Sequence, residues 1–188
     1  LHLDVMDGMF VSNISFGIPV IESLRRVTDI TFDVHLMIEK PECYAERFIG
    51  AGADILTFHY ETTDNAAELL NRIRALGAKA AVSIKPTTPV ESIFPILQKC
   101  DMVLIMTVEP GYGGQKFIPS AIESCKVARE LIKKSGRDID IEVDGGINAD
   151  NIGDVVKAGA NIIVTGSAVF GFEDVSAAIQ TLRKKAEA

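Results

Sequence analysis

The chain has 188 residues, 47% hydrophobic and 24% charged, the balance of an ordinary folded domain with a sizeable core. Nineteen Lys plus Arg against 26 Asp plus Glu give a net charge of −7, which argues against nucleic acid or an anionic membrane as partner, since both demand clustered basic residues. Cys43, Cys100 and Cys125 lack CxxC spacing, no apolar run reaches the ~20 residues of a membrane span, and no signal-peptide pattern leads the sequence; a reduced, cytoplasmic, single-domain protein over residues 1–188 is expected.

Strand character comes first at Leu1–Val5, where alternation turns His2 and Asp4 to one side and Leu1, Leu3 and Val5 to the other. Short, nearly continuous apolar runs follow at Thr31–Leu36, Asp54–His59, Ala78–Ile84, Met102–Met106, Asp140–Asp144 and Ile162–Thr165, the pattern of parallel strands buried on both faces. Helical periodicity lies between them at Asn65–Leu76, Ser120–Lys134 and Val175–Lys185, while Pro95 interrupts the stretch Glu91–Gln98. One joint recurs in Phe48–Asp54, Leu76–Lys79 and Lys157–Asn161: a glycine caps a helix, then a small residue leads into a strand. This repetition without a flexible linker predicts one parallel α/β array. Asp4, His35, His59, Glu109, Asp144 and Gly166 fall at strand ends, which favours a (β/α)8 TIM barrel over an open doubly wound sheet, because a barrel gathers every strand C-terminus around one mouth. Seven strands are countable, so the barrel's first strand and helix would precede Leu1.

The chemistry concentrates in two groups. His2 with Asp4, His35 at the end of the next strand, and Asp144 at the end of Asp140–Asp144 form a mixed nitrogen and oxygen set suited to Zn, Fe, Mn or Co, although residues on three strands do not prove convergence by spacing alone. Asp7 reads as a turn or capping residue, and His59 as an interior histidine with no partner evident in Thr57–Glu61. The second group is glycine-rich: Gly111, Tyr112, Gly113 and Gly114 after one strand, Gly145 and Gly146 after the next, and Gly166 with Ser167 after the last. Such loops offer backbone N–H groups to a phosphate, and those after the last two strands occupy the usual phosphate seat of a barrel. Met6, Met37 and Met106 fall at or just past strand ends, either as core filler or as a polarizable wall over a charged intermediate.

Leu-His-Leu-Asp-Val-Met-Asp-Gly at 1–8, Asp-Val-His-Leu-Met at 33–37, Val-Glu-Pro-Gly-Tyr-Gly-Gly-Gln-Lys-Phe at 108–117, Glu-Val-Asp-Gly-Gly at 142–146 and Gly-Ser-Ala at 166–168 together resemble the ribulose-phosphate 3-epimerase family, in order and over essentially the whole chain. The resemblance implies a TIM barrel that interconverts D-ribulose 5-phosphate and D-xylulose 5-phosphate, with one divalent metal per subunit held by His2, Asp4, His35 and Asp144. It makes Asp4 and Asp144 the acid/base pair and His2, His35, Gly111–Gly114, Gly145–Gly146 and Gly166–Ser167 substrate contacts. It also implies a homo-oligomer, dimer or hexamer. Two departures stand out. Met9 and Ser12 occupy positions where the family usually has His and Pro, and the family's first strand and helix, with a substrate-contacting serine, would lie ahead of Leu1.

Inverting C3 of a 2-keto sugar removes a proton from one face and returns one to the other, through an enediolate whose oxygen needs positive charge beside it. Two proton carriers and a Lewis acid meet that demand. An allulose 6-phosphate 3-epimerase would use the same groups with room for one more carbon, and a barrel lacking its first strand would be a catalytically impaired or binding protein.

Overall fold

In a computed structural model that describes residues 1–187, seven strands form one parallel sheet: β1 (His2–Met6), β2 (Asp33–Met37), β3 (Ile55–His59), β4 (Lys79–Ile84), β5 (Met102–Met106), β6 (Asp140–Asp144) and β7 (Ile162–Val164). Each strand pairs with its sequence neighbour, so every crossover returns to the adjacent position. The connections carry α1 (Ile18–Arg25), α2 (Ala45–Gly50), α3 (Ala66–Ala75), α4 (Ala121–Ser135) and α5 (Ile152–Lys157), with α6 (Ser167–Phe170) and α7 (Val175–Ala186) after β7. The sheet curls far enough to bring β1 and β6 side chains within 4.8 Å of one another, the curvature of a TIM barrel. No helix among the described residues is long and apolar enough to cross a membrane.

Two cores follow from strand alternation. Leu3, Val34, Leu36, Leu56, Phe58, Val82, Val103, Ile105, Ile141 and Val143 face outward and pack with Ile21, Leu70, Ile73, Leu97 and Ile132 of the surrounding helices. The inward face carries a small apolar floor of Ile55, Ala81, Met102 and Ile162. Above that floor the barrel is lined by polar side chains, among them Asp33, His35, Thr57, His59, Ser83 and Glu142, all buried. A polar interior costs stability unless its groups are hydrogen-bonded or hold a ligand, so such an interior points to a function.

The recurrent joint has a common construction. Gly52, Gly77 and Gly159 follow α2, α3 and α5 with φ of +114°, +93° and +118°, so each ends its helix in a conformation that L side chains rarely adopt. At two of them an arginine replaces the absent side chain: Arg25 donates to the Gly52 carbonyl at 2.7 Å, and Arg129 donates to the Gly159 carbonyl at 2.5 Å. Most element limits differ from the sequence expectation by a single residue, and two differences have a visible cause. Thr31 and Phe32 lie outside β2 because the Asp54 carboxylate accepts the Phe32 N–H at 2.7 Å. Val90–Lys99 forms a 3-10 helix, since Pro95 has no N–H for an α-helical ladder, yet it still buries Ile93 and Leu97.

Candidate active site

The β1–β2 register builds the site in layers: His2 lies beside Asp33, Asp4 beside His35, and Met6 beside Met37. On the far side, Glu142 and Asp144 present the same two levels from β6. One ligand-capable atom from each of His2, Asp4, His35 and Asp144 lies within 4.8 Å of the others, so the structure brings together the four residues singled out from the sequence. Asp33 and Glu142 escape that reading, although they form a second such group with His2. The signal for them is there: His2/Asp4, Asp33/His35 and Glu142/Asp144 are three strands with a titratable residue two positions before another.

Proton placement shows what the cluster is built to hold. The Asp33 carboxylate accepts from His2 Nδ1 at 2.8 Å, leaving Nε2 of the neutral ring as a lone pair. That Nε2 is buried, has no hydrogen-bond partner among the described residues, and lies 3.3 Å from Asp4 Oδ1. His35 Nδ1 lies 3.1 Å from the same oxygen. Two imidazole nitrogens thus converge on one carboxylate oxygen, an arrangement that a bound cation would satisfy. Metal–ligand distances of about 2.0–2.2 Å put neighbouring ligands roughly 3.0–3.5 Å apart, which these separations match. The donor set therefore fits a divalent metal, with Asp33 behind His2 in the carboxylate–histidine arrangement common at metal sites.

The electrostatics agree. Burial alone would lower the His2 pKa, but the surrounding carboxylates of Asp33, Asp4 and Glu142 reverse this and hold it well above the usual imidazole value, a setting that favours positive charge. Burial works to raise Asp4, but His2 and His35 hold it well below the ordinary carboxylate range. Asp144 goes the other way, raised by burial and then by the Asp4 charge. Burial pushes Glu142 up to about 8, with His2 opposing and Asp33 adding to the rise. Asp4 and Asp144 thus sit in opposed environments within one cavity.

His59 corrects the sequence expectation. It does have a partner in the segment Thr57–Glu61, because a 3-10 turn at Tyr60–Thr62 folds Glu61 back to place Oε2 3.3 Å from His59 Nδ1. Its other nitrogen lies 3.0 Å from His35 Nε2. Burial drives the His59 pKa down to about 4, so the ring is neutral at pH 7. Burial would raise Glu61, yet hydrogen bonds from His59, Thr88 and the Lys85 N–H bring it down to about 2. Asp7 holds a turn as expected: it accepts from the N–H of Met9 and Phe10, and from the Glu39 N–H of the neighbouring loop at 2.8 Å.

A small cleft of about 60 Å³ opens above the cluster, lined by Asp4, Met6, Met37, Met106, the segment Val108–Gln115 and Asp144–Gly146. Both glycine loops and all three methionines therefore meet the two aspartates. Gln115 donates to the Glu109 and Tyr112 carbonyls at 2.5 and 2.9 Å and pins the first loop. Buried Thr107 joins the two loops: its N–H donates to the Asp144 carbonyl at 2.8 Å and its hydroxyl to the Gly145 carbonyl. Gly166 and Ser167 begin α6 and do not line this cleft.

A curled parallel sheet with a polar centre and a glycine-walled cleft at its strand ends defines an enzyme of the TIM-barrel class. Solved structures agree on the fold: a 3-hexulose-6-phosphate synthase matches with a TM-score of 0.70 at 19% identity, covering 98% of each chain. Orotidine 5'-phosphate decarboxylase from Pyrococcus horikoshii matches at 0.67 and 18% identity, covering 92% of this chain and 81% of its own. The family profile for ribulose-phosphate 3 epimerase matches residues 1–170. The ribulose-phosphate 3-epimerase of Mycobacterium tuberculosis is 48% identical over all of this chain and 82% of its own length, and that of Bacillus subtilis is 46% identical over 97% and 85%. The chain belongs to the ribulose-phosphate 3-epimerase family and is an isomerase.

Proposed function

We propose that this enzyme inverts C3 of a ketose phosphate, D-ribulose 5-phosphate to D-xylulose 5-phosphate, by proton transfer between Asp4 and Asp144. The observation that carries the reading is the convergence of His2 Nε2, His35 Nδ1 and both aspartates beneath a cleft walled by two glycine loops. Asp4 on β1 and Asp144 on β6 approach the cleft from different strands, so each can serve one face of a planar C2–C3 unit. One takes the C3 proton and the other returns one to the opposite face, the roles exchanging with direction. His2, Asp4, His35 and Asp144 would hold a divalent metal, which would supply a Lewis acid for the negative charge that develops on the C2 oxygen. Met6, Met37 and Met106 wall the reacting carbons and keep bulk water away. Backbone N–H groups of Gly111–Gly114 and Gly145–Gly146 bind the phosphate and orient the sugar. Gly166 and Ser167, at the start of α6, lie outside this cleft and are not part of that clamp.

The test is turnover in D2O. Wild-type protein should produce xylulose 5-phosphate carrying deuterium at C3, and Asp144→Asn should lose about 10²- to 10⁴-fold in rate. Absence of solvent deuterium at C3 with the wild-type protein would end the acid/base reading. A higher kcat/KM for allulose 6-phosphate would move the substrate to a hexulose.

A further inference from the structure

We propose that His59 and Glu61 are positioning residues that fix the proton of His35 on Nε2, so that Nδ1 is kept free for the metal; this rests on the metal reading above. The three side chains form one line, with both imidazoles buried and Glu61 at its outer end: Glu61 Oε2 to His59 Nδ1 at 3.3 Å, His59 Nε2 to His35 Nε2 at 3.0 Å, and His35 Nδ1 beside Asp4 Oδ1 at 3.1 Å. Two imidazole nitrogens at 3.0 Å share one hydrogen, so the line has a direction, and Glu61 sets it. Its Oε1 accepts the Lys85 N–H at 2.8 Å and the Thr88 hydroxyl, as an ionised carboxylate does. Oε2 can then only accept, so His59 carries its hydrogen on Nδ1 and turns the Nε2 lone pair towards His35. His35 donates from Nε2, and its Nδ1 lone pair faces the metal position. The reverse order would set a His59 lone pair against a carboxylate oxygen, and a His35 N–H where a metal ligand is required. Phe10 covers the line, its ring centroid 4.7 Å from that of His59, and Lys85 Nζ lies 4.1 Å from the Phe10 centroid. His35 and His59 are both fully buried.

Glu61→Gln tests this, because the substitution keeps the shape and reverses the donor. The Lys85 N–H holds the amide oxygen at the Oε1 position, so the NH2 group must face His59 Nδ1. His59 then carries its hydrogen on Nε2 and opposes the His35 N–H. We expect cobalt(II) affinity, measured by chelator competition, to fall about 10- to 100-fold, the usual cost of losing a partner behind a metal ligand. Turnover of the variant should return towards wild type once metal is raised above its new Kd, which a merely structural defect would not allow. Long-range 15N–1H spectra of zinc-loaded wild-type protein should show His59 protonated on Nδ1, a reading independent of whether the variant folds. Unchanged cobalt affinity in Glu61→Gln, or a wild-type His59 hydrogen on Nε2, would overturn the proposal. If the wild-type protein itself binds no cobalt, the metal reading fails and the proposal with it; if wild type binds and the variant binds equally, only the relay fails.

Discussion

At Gly146 the backbones of the two segments that wall the cleft press together. It has φ +65°, and a Cβ built on it would lie 2.5 Å from the Phe117 backbone nitrogen, 2.8 Å from the Gln115 carbonyl oxygen and 2.9 Å from the Phe117 Cα. Ordinary contact begins at 3.4 Å, so Gly146→Ala must drive the Gln115–Phe117 segment away by 3.4 − 2.5, or about 0.9 Å. The left-handed conformation costs alanine about 1–2 kcal/mol and the overpacking about 1–3 kcal/mol more. A total of about 2–5 kcal/mol leaves a weakened but folded protein if overall stability lies in the ordinary range of about 5–15 kcal/mol. Misplacing the phosphate loop by nearly 1 Å should cost about 10²-fold in kcat/KM. Urea unfolding and steady-state kinetics read both effects, with Gly50→Ala as control, since its Cβ would meet nothing within 4 Å. An alanine variant with the wild-type urea midpoint and kcat/KM within threefold would refute the account of how these loops meet.

Removing the metal with a chelator should abolish turnover and lower Tm, and an ion present at a hundred times its Kd should restore about 2.7 kcal/mol of stability; equal Tm with and without metal would contradict the lone-pair convergence at Asp4 Oδ1. Burial pushes the Cys100 thiol up to about 12 and Cys125 up to about 11, whereas Cys43 is exposed. A thiol reagent should therefore titrate one cysteine quickly in the native protein and three in denaturant. Glu61, held down to about 2 in the folded state, contributes stability that is complete above its unfolded pKa near 4.5 and lost as pH falls through 2. That contribution amounts to about 3 kcal/mol at most, so urea midpoints of wild type should fall more steeply from pH 5 to 3 than those of Glu61→Gln; parallel curves would remove the effect from Glu61.

Where a residue sits along a strand was legible in the sequence, because period-2 alternation and the recurrent glycine joint are local properties. Met102–Met106 and Asp140–Asp144 appear with their expected limits. The polar lining of the barrel was half legible. His2, Asp4, His35 and Asp144 stood out as chemistry at strand ends, but their meeting depends on curvature, which no single strand encodes. Asp33 and Glu142 were hidden because a charged residue at the start or middle of a strand ordinarily faces water, and only the curl of the sheet turns it inward. His59 was misjudged for a related reason: its strand ends there, and the turn at Tyr60–Thr62 that folds Glu61 back onto it is not announced by the residues themselves.

The apolar floor of Ile55, Ala81, Met102 and Ile162 closes the interior beneath the polar centre. Away from it, the cleft between the two glycine loops is a doorway onto the four clustered ligands. Substrate, departing epimer and metal that pass through it use the same space. Two epimers that differ at one carbon then contend for the same passage. Each should act as a competitive inhibitor of the other's conversion, and a filled doorway should hold the metal against a chelator for as long as a sugar phosphate occupies it.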